Sequence, residues 1–148
     1  MVWGCMSAKG VGILHRVEGN LNSEGYINIL KSTLVPSGRA LAGSNEFIFQ
    51  KDGAPCHTSK LSLSWLAENE LNILPWAPQS PDMNPIEHLW NLINSRLANK
   101  RPSNLNELWE LIKAEWYSID EATCKKLVGN MNDRVKSVIK GKGNNTRF

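Results

Sequence analysis

Residues 75–90 read Pro75-Trp76-Ala77-Pro78-Gln79-Ser80-Pro81-Asp82-Met83-Asn84-Pro85-Ile86-Glu87-His88-Leu89-Trp90. Proline fixes φ and disfavours helix in the residue before it, so this stretch is predicted to run extended as far as Pro85. A helix is then predicted from Pro85 to about Asn99, because Asn84 suits the cap and proline suits the first helical position. Its apolar face repeats at helical spacing. Glu87 is thereby predicted in the first turn of that helix.

A second acid follows the short apolar segment Phe47 to Phe49, which is typical of a buried strand. That acid is Asp52. After it, Thr58 or Ser59 is predicted to cap a helix that runs to about residue 69, with an apolar face formed by Leu61, Trp65 and Leu66. Leu71 to Leu74 is predicted as the next strand. A helix between two strands indicates a parallel pair, so Asp52 and Glu87 are both predicted beyond the carboxyl ends of strands, on one rim of the sheet.

Two carboxylates held close together repel each other unless a cation lies between them, and Mg²⁺ or Mn²⁺ would suit such oxygen ligands. Two plainer interpretations stay open. Asp52-Gly53 is also a common turn dipeptide, and Glu87 has the spacing of a capping-box partner for Asn84. His57 and His88 lie beside the two acids, where a histidine either contacts phosphate or water or makes a structural hydrogen bond.

The rest of the sequence predicts an α/β fold with a mixed sheet. Residues 1–19 are predicted to form a hairpin, and residues 22–34 a helix that ends near Pro36 before a loop from Ser37 to Ser44. Two further helices are predicted toward the C-terminus, one capped by Asn104 and one by Ser118. Residues 141–148 are expected to be disordered. Tryptophans on helical stripes are assigned to the core, and Trp76 is expected to be partly exposed.

Composition limits the class of protein. The 148 residues contain 41% hydrophobic side chains, enough for a core. Three widely spaced cysteines favour a reducing, intracellular setting, and no apolar run is long enough to span a membrane. Seven cations and two acids lie in residues 121–148, a balance that suits contact with phosphates but also occurs in solubilising tails. We therefore predict a body of residues 1–120 and a C-terminal helix and basic tail over residues 121–148.

Two blocks resemble the signature sequences of mariner-superfamily transposases, specifically the Tc-like branch. They are residues 50–59, Gln50-Lys51-Asp52-Gly53-Ala54-Pro55-Cys56-His57-Thr58-Ser59, and residues 76–90 quoted above. The 34 residues between Asp52 and Glu87 match the spacing of the second and third acids in that branch's DDE triad. The resemblance implies a ribonuclease H-like fold and Asp52 and Glu87 as catalytic, metal-binding acids. It also implies two metal ions, DNA as partner and substrate, no small-molecule cofactor and a nuclear location, and a homodimer is a further expectation.

The chain also departs from the pattern of that family. Gly53 stands where the family usually has Asn, beside the metal site. Val2 to Met6 resemble the strand that follows the first acid in that family. The first acid itself lies on a central strand further upstream, and helix-turn-helix domains precede that strand. The acids before Asp52 do not match that position; they are Glu18, Glu24 and Glu46. We therefore expect an N-terminally truncated catalytic domain, with its central strand missing and extra C-terminal helices, that holds its second metal poorly and cleaves little DNA.

Two other hypotheses also fit the sequence. One is a non-catalytic nucleic-acid-binding or interaction module derived from a transposase, and the other is a remnant without a stable fold. Nucleic-acid contacts are predicted at His57, His88, Lys136, Lys140 and Lys142.

Overall fold

The computed structural model describes residues 1–44, 46–78 and 80–143. Its residues form two compact units. Unit 1 comprises residues 1–5 and 12–79, and unit 2 comprises residues 6–11 and the chain from residue 80 onward. These units differ from the predicted division at residue 120, which stays a prediction.

The described residues form short strands and longer helices. The strands are β1 (Val2–Trp3), β2 (Met6–Ser7), β3 (Gly10–Val11), β4 (His15–Arg16), β5 (Ile48–Phe49) and β6 (Asn72–Ile73). The helices are α1 (Ser23–Ile29), α2 (Val35–Ala42), α3 (Pro55–Thr58), α4 (Lys60–Glu68), α5 (Ile86–Leu97), α6 (Leu105–Tyr117), α7 (Glu121–Gly129) and α8 (Met131–Lys140). None of these described helices is long and apolar enough to cross a membrane.

The predicted N-terminal hairpin is confirmed. In unit 1, β1 pairs antiparallel with β4, and in unit 2, β2 pairs antiparallel with β3. Within unit 1, the amide of Gly12 donates to the carbonyl of Cys5 (2.7 Å). Trp3 pairs with His15 and Cys5 with Gly12, yet one residue lies between Trp3 and Cys5 and two lie between Gly12 and His15. The extra residue forms a bulge just before β4.

The helix that was predicted to end near Pro36 continues to Ala42, so that prediction and the predicted loop are wrong. A π-helical turn, Leu30–Leu34, joins α1 to α2. It places Pro36 in the first turn of α2, where the absence of a proline N–H costs little. The true end of the helix is Gly43, which adopts a left-handed φ of 69° and donates its amide to Arg39 (3.0 Å).

Unit 1 is built on this long helical segment. Its buried cluster contains Tyr26, Leu30, Leu34, Phe49 and Leu66. As predicted, β5 and β6 are parallel, and α3 and α4 lie between them in sequence. Ser59 caps α4 by accepting from the amide of Ser62 (3.2 Å). The predicted burial of Leu61 is wrong, because this side chain is 51% exposed.

Unit 2 contains the four C-terminal helices, and its buried side chains are Leu89, Ile93, Trp116, Ile119, Cys124 and Arg134. The rings of Trp90 and Trp116 stack with centroids 4.8 Å apart. Trp76, as expected, is partly exposed in unit 1.

The helix limits of unit 2 confirm some predictions and correct others. Asn104 caps α6 as predicted. The cap of α7 is Asp120, however, and not Ser118, because the Asp120 carboxylate accepts from the amide of Thr123 (2.8 Å). The single predicted last helix is two helices that meet at Asn130. A 3₁₀ turn at Pro81–Met83 also interrupts the predicted extended stretch. Of the tail expected to be disordered, residues 141–143 form a turn and residues 144–148 lie outside the described part.

Candidate active site

Asp52 lies in unit 1, beyond the carboxyl end of β5. Its Oδ1 accepts a hydrogen bond from the amide of Ala54 (3.0 Å) and lies 2.5 Å from Nδ1 of His57. Within the described part of the chain, its Oδ2 makes no hydrogen bond, and the side chain is 57% exposed. Asp52 therefore presents one carboxylate oxygen that is held in place and one that is open.

The turn after β5 does not depend on a side chain at residue 53. A Cβ added to Gly53 would meet no atom within 4 Å. The turn is closed by the Asp52 carboxylate itself, through the amide of Ala54. The glycine that replaces the family's usual Asn is therefore accommodated in this structure.

His57 fixes the orientation of Asp52. Since a carboxylate only accepts, Nδ1 of His57 carries the shared proton. The imidazole stacks on the ring of Tyr26, with centroids 4.1 Å apart and an interplanar angle of 30°. Burial lowers the pKa of His57, and Asp52 acts in the opposite direction without reversing the shift. His57 therefore has the structural hydrogen bond that was one of its two predicted roles.

Tyr26 was not identified as a site residue from the sequence. It is fully buried, and within the described residues its hydroxyl has no hydrogen-bond partner. Burial raises the pKa of its phenol, so the side chain stays neutral. Its position on the apolar stripe of α1 indicated only a core residue. No sequence signal links it to His57.

Glu87 is the second residue of α5, in unit 2, and is partly buried. The N-cap of α5 is Pro85 and not the predicted Asn84, and the amide of Asn84 donates to the carbonyl of Pro81 (2.9 Å). Asn84 does assist the start of the helix, since its Oδ1 accepts from the amide of Ile86 at 3.4 Å.

His88 follows Glu87 and contacts a residue from the C-terminal helix. Nδ1 of His88 lies 3.2 Å from the Nη2 atom of Arg134, whose Nη1 atom donates to the backbone carbonyl of Asp82 (2.5 Å). Burial, and then the charge of Arg134, lower the pKa of His88. Arg134 was also missed at the sequence level. It was detectable as a charged residue within the apolar stripe formed by Met131, Val135 and Val138.

The three predicted lysine contacts lie at the surface of unit 2. The side chain of Lys136 is 79% exposed, with its Nζ atom 3.8 Å from Asp133, and Lys140 and Lys142 are also exposed. Asp52 and Glu87 belong to different compact units. Among the described residues, no three His, Cys, Asp or Glu side chains are grouped to hold one metal ion.

Residues 1–109 match the family described as DDE superfamily endonuclease. The chain belongs to this family. It is 39% identical over 148 residues to the Tcb1 transposase of Caenorhabditis briggsae and 35% identical to the Tc1 transposase of Caenorhabditis elegans. Both alignments cover 100% of this chain and 54% of the relative, so the chain spans about half the length of these curated relatives. The predicted relationship to Tc-like transposases is confirmed.

Solved structures establish the fold of this chain. The catalytic domain of Mos1 transposase, solved with raltegravir and Mg, matches with a TM-score of 0.85 at 19% identity, covering 99% of this chain and 76% of that one. The Mos1 mariner paired-end complex with Mn matches with a TM-score of 0.89 at 19% identity, covering 99% of this chain and 44% of that one. The predicted ribonuclease H-like fold is therefore confirmed. Structures with Mg and Mn show that divalent metals are used in the family.

Proposed function

We propose that Asp52 and Glu87 are two of the metal-binding acids of a Tc1/mariner-type transposase that cleaves and joins DNA strands. The observation that carries this proposal is the state of Asp52. It follows a parallel strand, its Oδ1 is held by Ala54 and His57, and its Oδ2 is open. An exposed carboxylate oxygen with a fixed partner oxygen is a suitable donor for Mg²⁺ or Mn²⁺.

The protein groups in this proposal have separate tasks. Asp52 and Glu87 would supply oxygen ligands, and His57 would keep the Asp52 carboxylate in one orientation by donating from Nδ1. The bound metal ions would activate an attacking oxygen and stabilise the leaving oxygen in phosphoryl transfer. Because two carboxylates are proposed here as the metal ligands, we expect these residues by themselves to hold the metal ions weakly and to cleave DNA weakly.

DNA is the proposed partner of this chain. Solved Mos1 complexes include a paired-end complex with the left transposon end and a strand transfer complex. On this chain, the exposed cations Lys136, Lys140 and Lys142 are suited to contact phosphates. A homodimer and a nuclear location are parts of the same proposal, and both derive from the transposase relationship.

Mn²⁺ binding to the full chain tests whether the two acids are metal ligands. Isothermal titration is made with the wild type, Asp52→Asn and Glu87→Gln. We expect each variant to weaken Mn²⁺ binding by roughly tenfold or more, because each removes a charged oxygen ligand. Glu18→Gln, which changes an exposed acid of unit 1, is the matched control. Unchanged binding in either acid variant would contradict the assignment of that acid as a ligand.

Plasmid nicking tests the chemistry. Supercoiled plasmid is incubated with the chain and Mg²⁺ or Mn²⁺, and the nicked form is measured. We expect weak nicking that Asp52→Asn and Glu87→Gln abolish and Glu18→Gln preserves. Nicking that survives both acid substitutions would arise from another source and would refute the assignment of these acids.

A further inference from the structure

Helix α8 carries an arginine that differs from the other cations near the C-terminus. Arg134 is 1% exposed, whereas Lys136 and Lys140 on the same helix are exposed. Its guanidinium contacts Asp82 and His88, which lie 52 and 46 residues away in sequence. Burying a guanidinium is costly unless hydrogen bonds compensate for the lost water. The contact is therefore an ordered part of unit 2.

The chemistry of arginine determines the state of His88. A guanidinium has donors only, so Nδ1 of His88 must offer its lone pair to Nη2 of Arg134. The neutral imidazole then carries its proton on Nε2. Arg134 thus selects one tautomer of His88 and one orientation of its ring.

The start of α5, beside the residues that Arg134 contacts, has hydrogen bonds at the long end of the usual range. The amides of Glu87 and His88 donate to the carbonyls of Asn84 and Pro85, both at 3.2 Å, and the amide of Ile86 lies 3.4 Å from the Asn84 side chain. Typical bonds of this kind are about 2.9–3.0 Å long. The first turn of α5 thus receives additional support from the contacts that Arg134 makes with Asp82 and His88. Arg134 binds this segment on both sides of Glu87, at the carbonyl of Asp82 and at the ring of His88.

We propose that Arg134 is a positioning residue for Glu87. By fixing the Asp82 carbonyl and the His88 ring, it sets the direction in which the first turn of α5 presents the Glu87 carboxylate. This inference rests on the proposed function, in which Glu87 is a metal ligand. Helix α8 then has two faces with different tasks: Arg134 points inward and supports the acid, and the lysines face solvent.

Amide hydrogen exchange tests the positioning without requiring activity. Exchange is measured by mass spectrometry on the full 148-residue chain. In Arg134→Met we expect the amides of residues 83–88 to exchange roughly tenfold faster or more, because the long-range hydrogen bonds that hold this segment are removed. Lys126→Met, which removes an exposed cation from α7, is the matched control and should leave this segment unchanged. Unchanged exchange in Arg134→Met would overturn the proposal.

A pair of substitutions at His88 keeps the test decisive if Arg134→Met does not fold. His88→Asn retains an acceptor close to the position of Nδ1, whereas His88→Leu removes it. We expect exchange of residues 83–88 to stay near the wild-type rate in His88→Asn and to rise in His88→Leu. Equal exchange rates in the two variants would contradict the proposed role of the Arg134–His88 contact. The nitrogen spectrum of His88 gives a second readout, since the wild type should carry its proton on Nε2; a proton on Nδ1 would refute the contact.

Mn²⁺ titration tests whether the contacts of Arg134 affect the proposed metal site. We expect Arg134→Met to weaken Mn²⁺ binding by about 10–100-fold, as is typical when a residue that orients a ligand is removed. If Glu87→Gln weakens binding and Arg134→Met does not, the positioning role is wrong. If Glu87→Gln has no effect, the proposed metal site fails, and the exchange experiment still decides whether Arg134 holds the segment.

Discussion

The buried hydroxyl of Tyr26 leads to a prediction about stability whose sign is informative. The side chain is 0% exposed, and its hydroxyl has no hydrogen-bond partner among the described residues. Burying an unpaired hydroxyl costs about 1–3 kcal/mol in proteins. Tyr26→Phe removes that group and keeps the ring that stacks on His57 at 4.1 Å. We therefore expect the variant to be more stable than the wild type by about 1–2 kcal/mol.

Urea denaturation, followed by circular dichroism and tryptophan fluorescence, measures this difference. A gain of that size in a chain of this length corresponds to a rise in Tm of roughly 2–8 °C. Tyr117→Phe is the matched control, because Tyr117 is 53% exposed and its change is expected to stay within about 0.5 kcal/mol. A hydroxyl with a good partner contributes about 0.5–1.5 kcal/mol, so a destabilised Tyr26→Phe would refute the reasoning.

Three further predictions concern a cap, a thiol and the basic surface. Asn104→Ala should destabilise unit 2 by about 1 kcal/mol in urea denaturation, because its side chain accepts from two amides of α6, whereas Asn91→Ala on exposed α5 surface should have little effect. Burial raises the pKa of the Cys5 thiol to about 11, so iodoacetamide at pH 8 should label it at roughly a tenth of the rate in the urea-unfolded chain or less. Mass spectrometry measures the labelling, and a rate equal to that of the unfolded chain would contradict this expectation. Replacing Lys136 and Lys140 by Gln should make the proposed DNA binding less sensitive to salt. The slope of the logarithm of the binding constant against the logarithm of salt concentration should fall by about 0.9 for each phosphate that is no longer neutralised, and an unchanged slope would mean that other residues bind the phosphates.

Local sequence signals predicted most of the elements. The caps at Ser59 and Asn104 follow from residues within a few positions of each other, and the parallel pair β5 and β6 follows from the helices that lie between the two strands in sequence. The place of Asp52 after β5 is of the same kind. These features are decided by turn chemistry and periodicity, which act over one or two turns of chain.

The errors have a common physical origin in contacts that the sequence does not display. Pro36 is normally a sign that a helix ends, but the π-helical turn at Leu30–Leu34 lets the chain continue as a helix through it. Ser118 has the spacing of a cap, but Asp120 makes the stronger, charge-assisted bond to the amide of Thr123. In each case a competing local arrangement was available nearby, and the local pattern did not distinguish between the two.

The two acids illustrate how a motif and its support can be separated in sequence. Asp52 is oriented by His57, whose ring is in turn held by Tyr26 from α1. The turn that contains Glu87 is held by Arg134 from α8. Each motif therefore specifies an acid and its approximate place, while a residue far along the chain fixes its direction. If Asp52 and Glu87 are the proposed metal ligands, substitutions at Tyr26 and Arg134 should weaken Mn²⁺ binding in a titration without changing either motif, because metal ligation tolerates little misdirection of its oxygen donors.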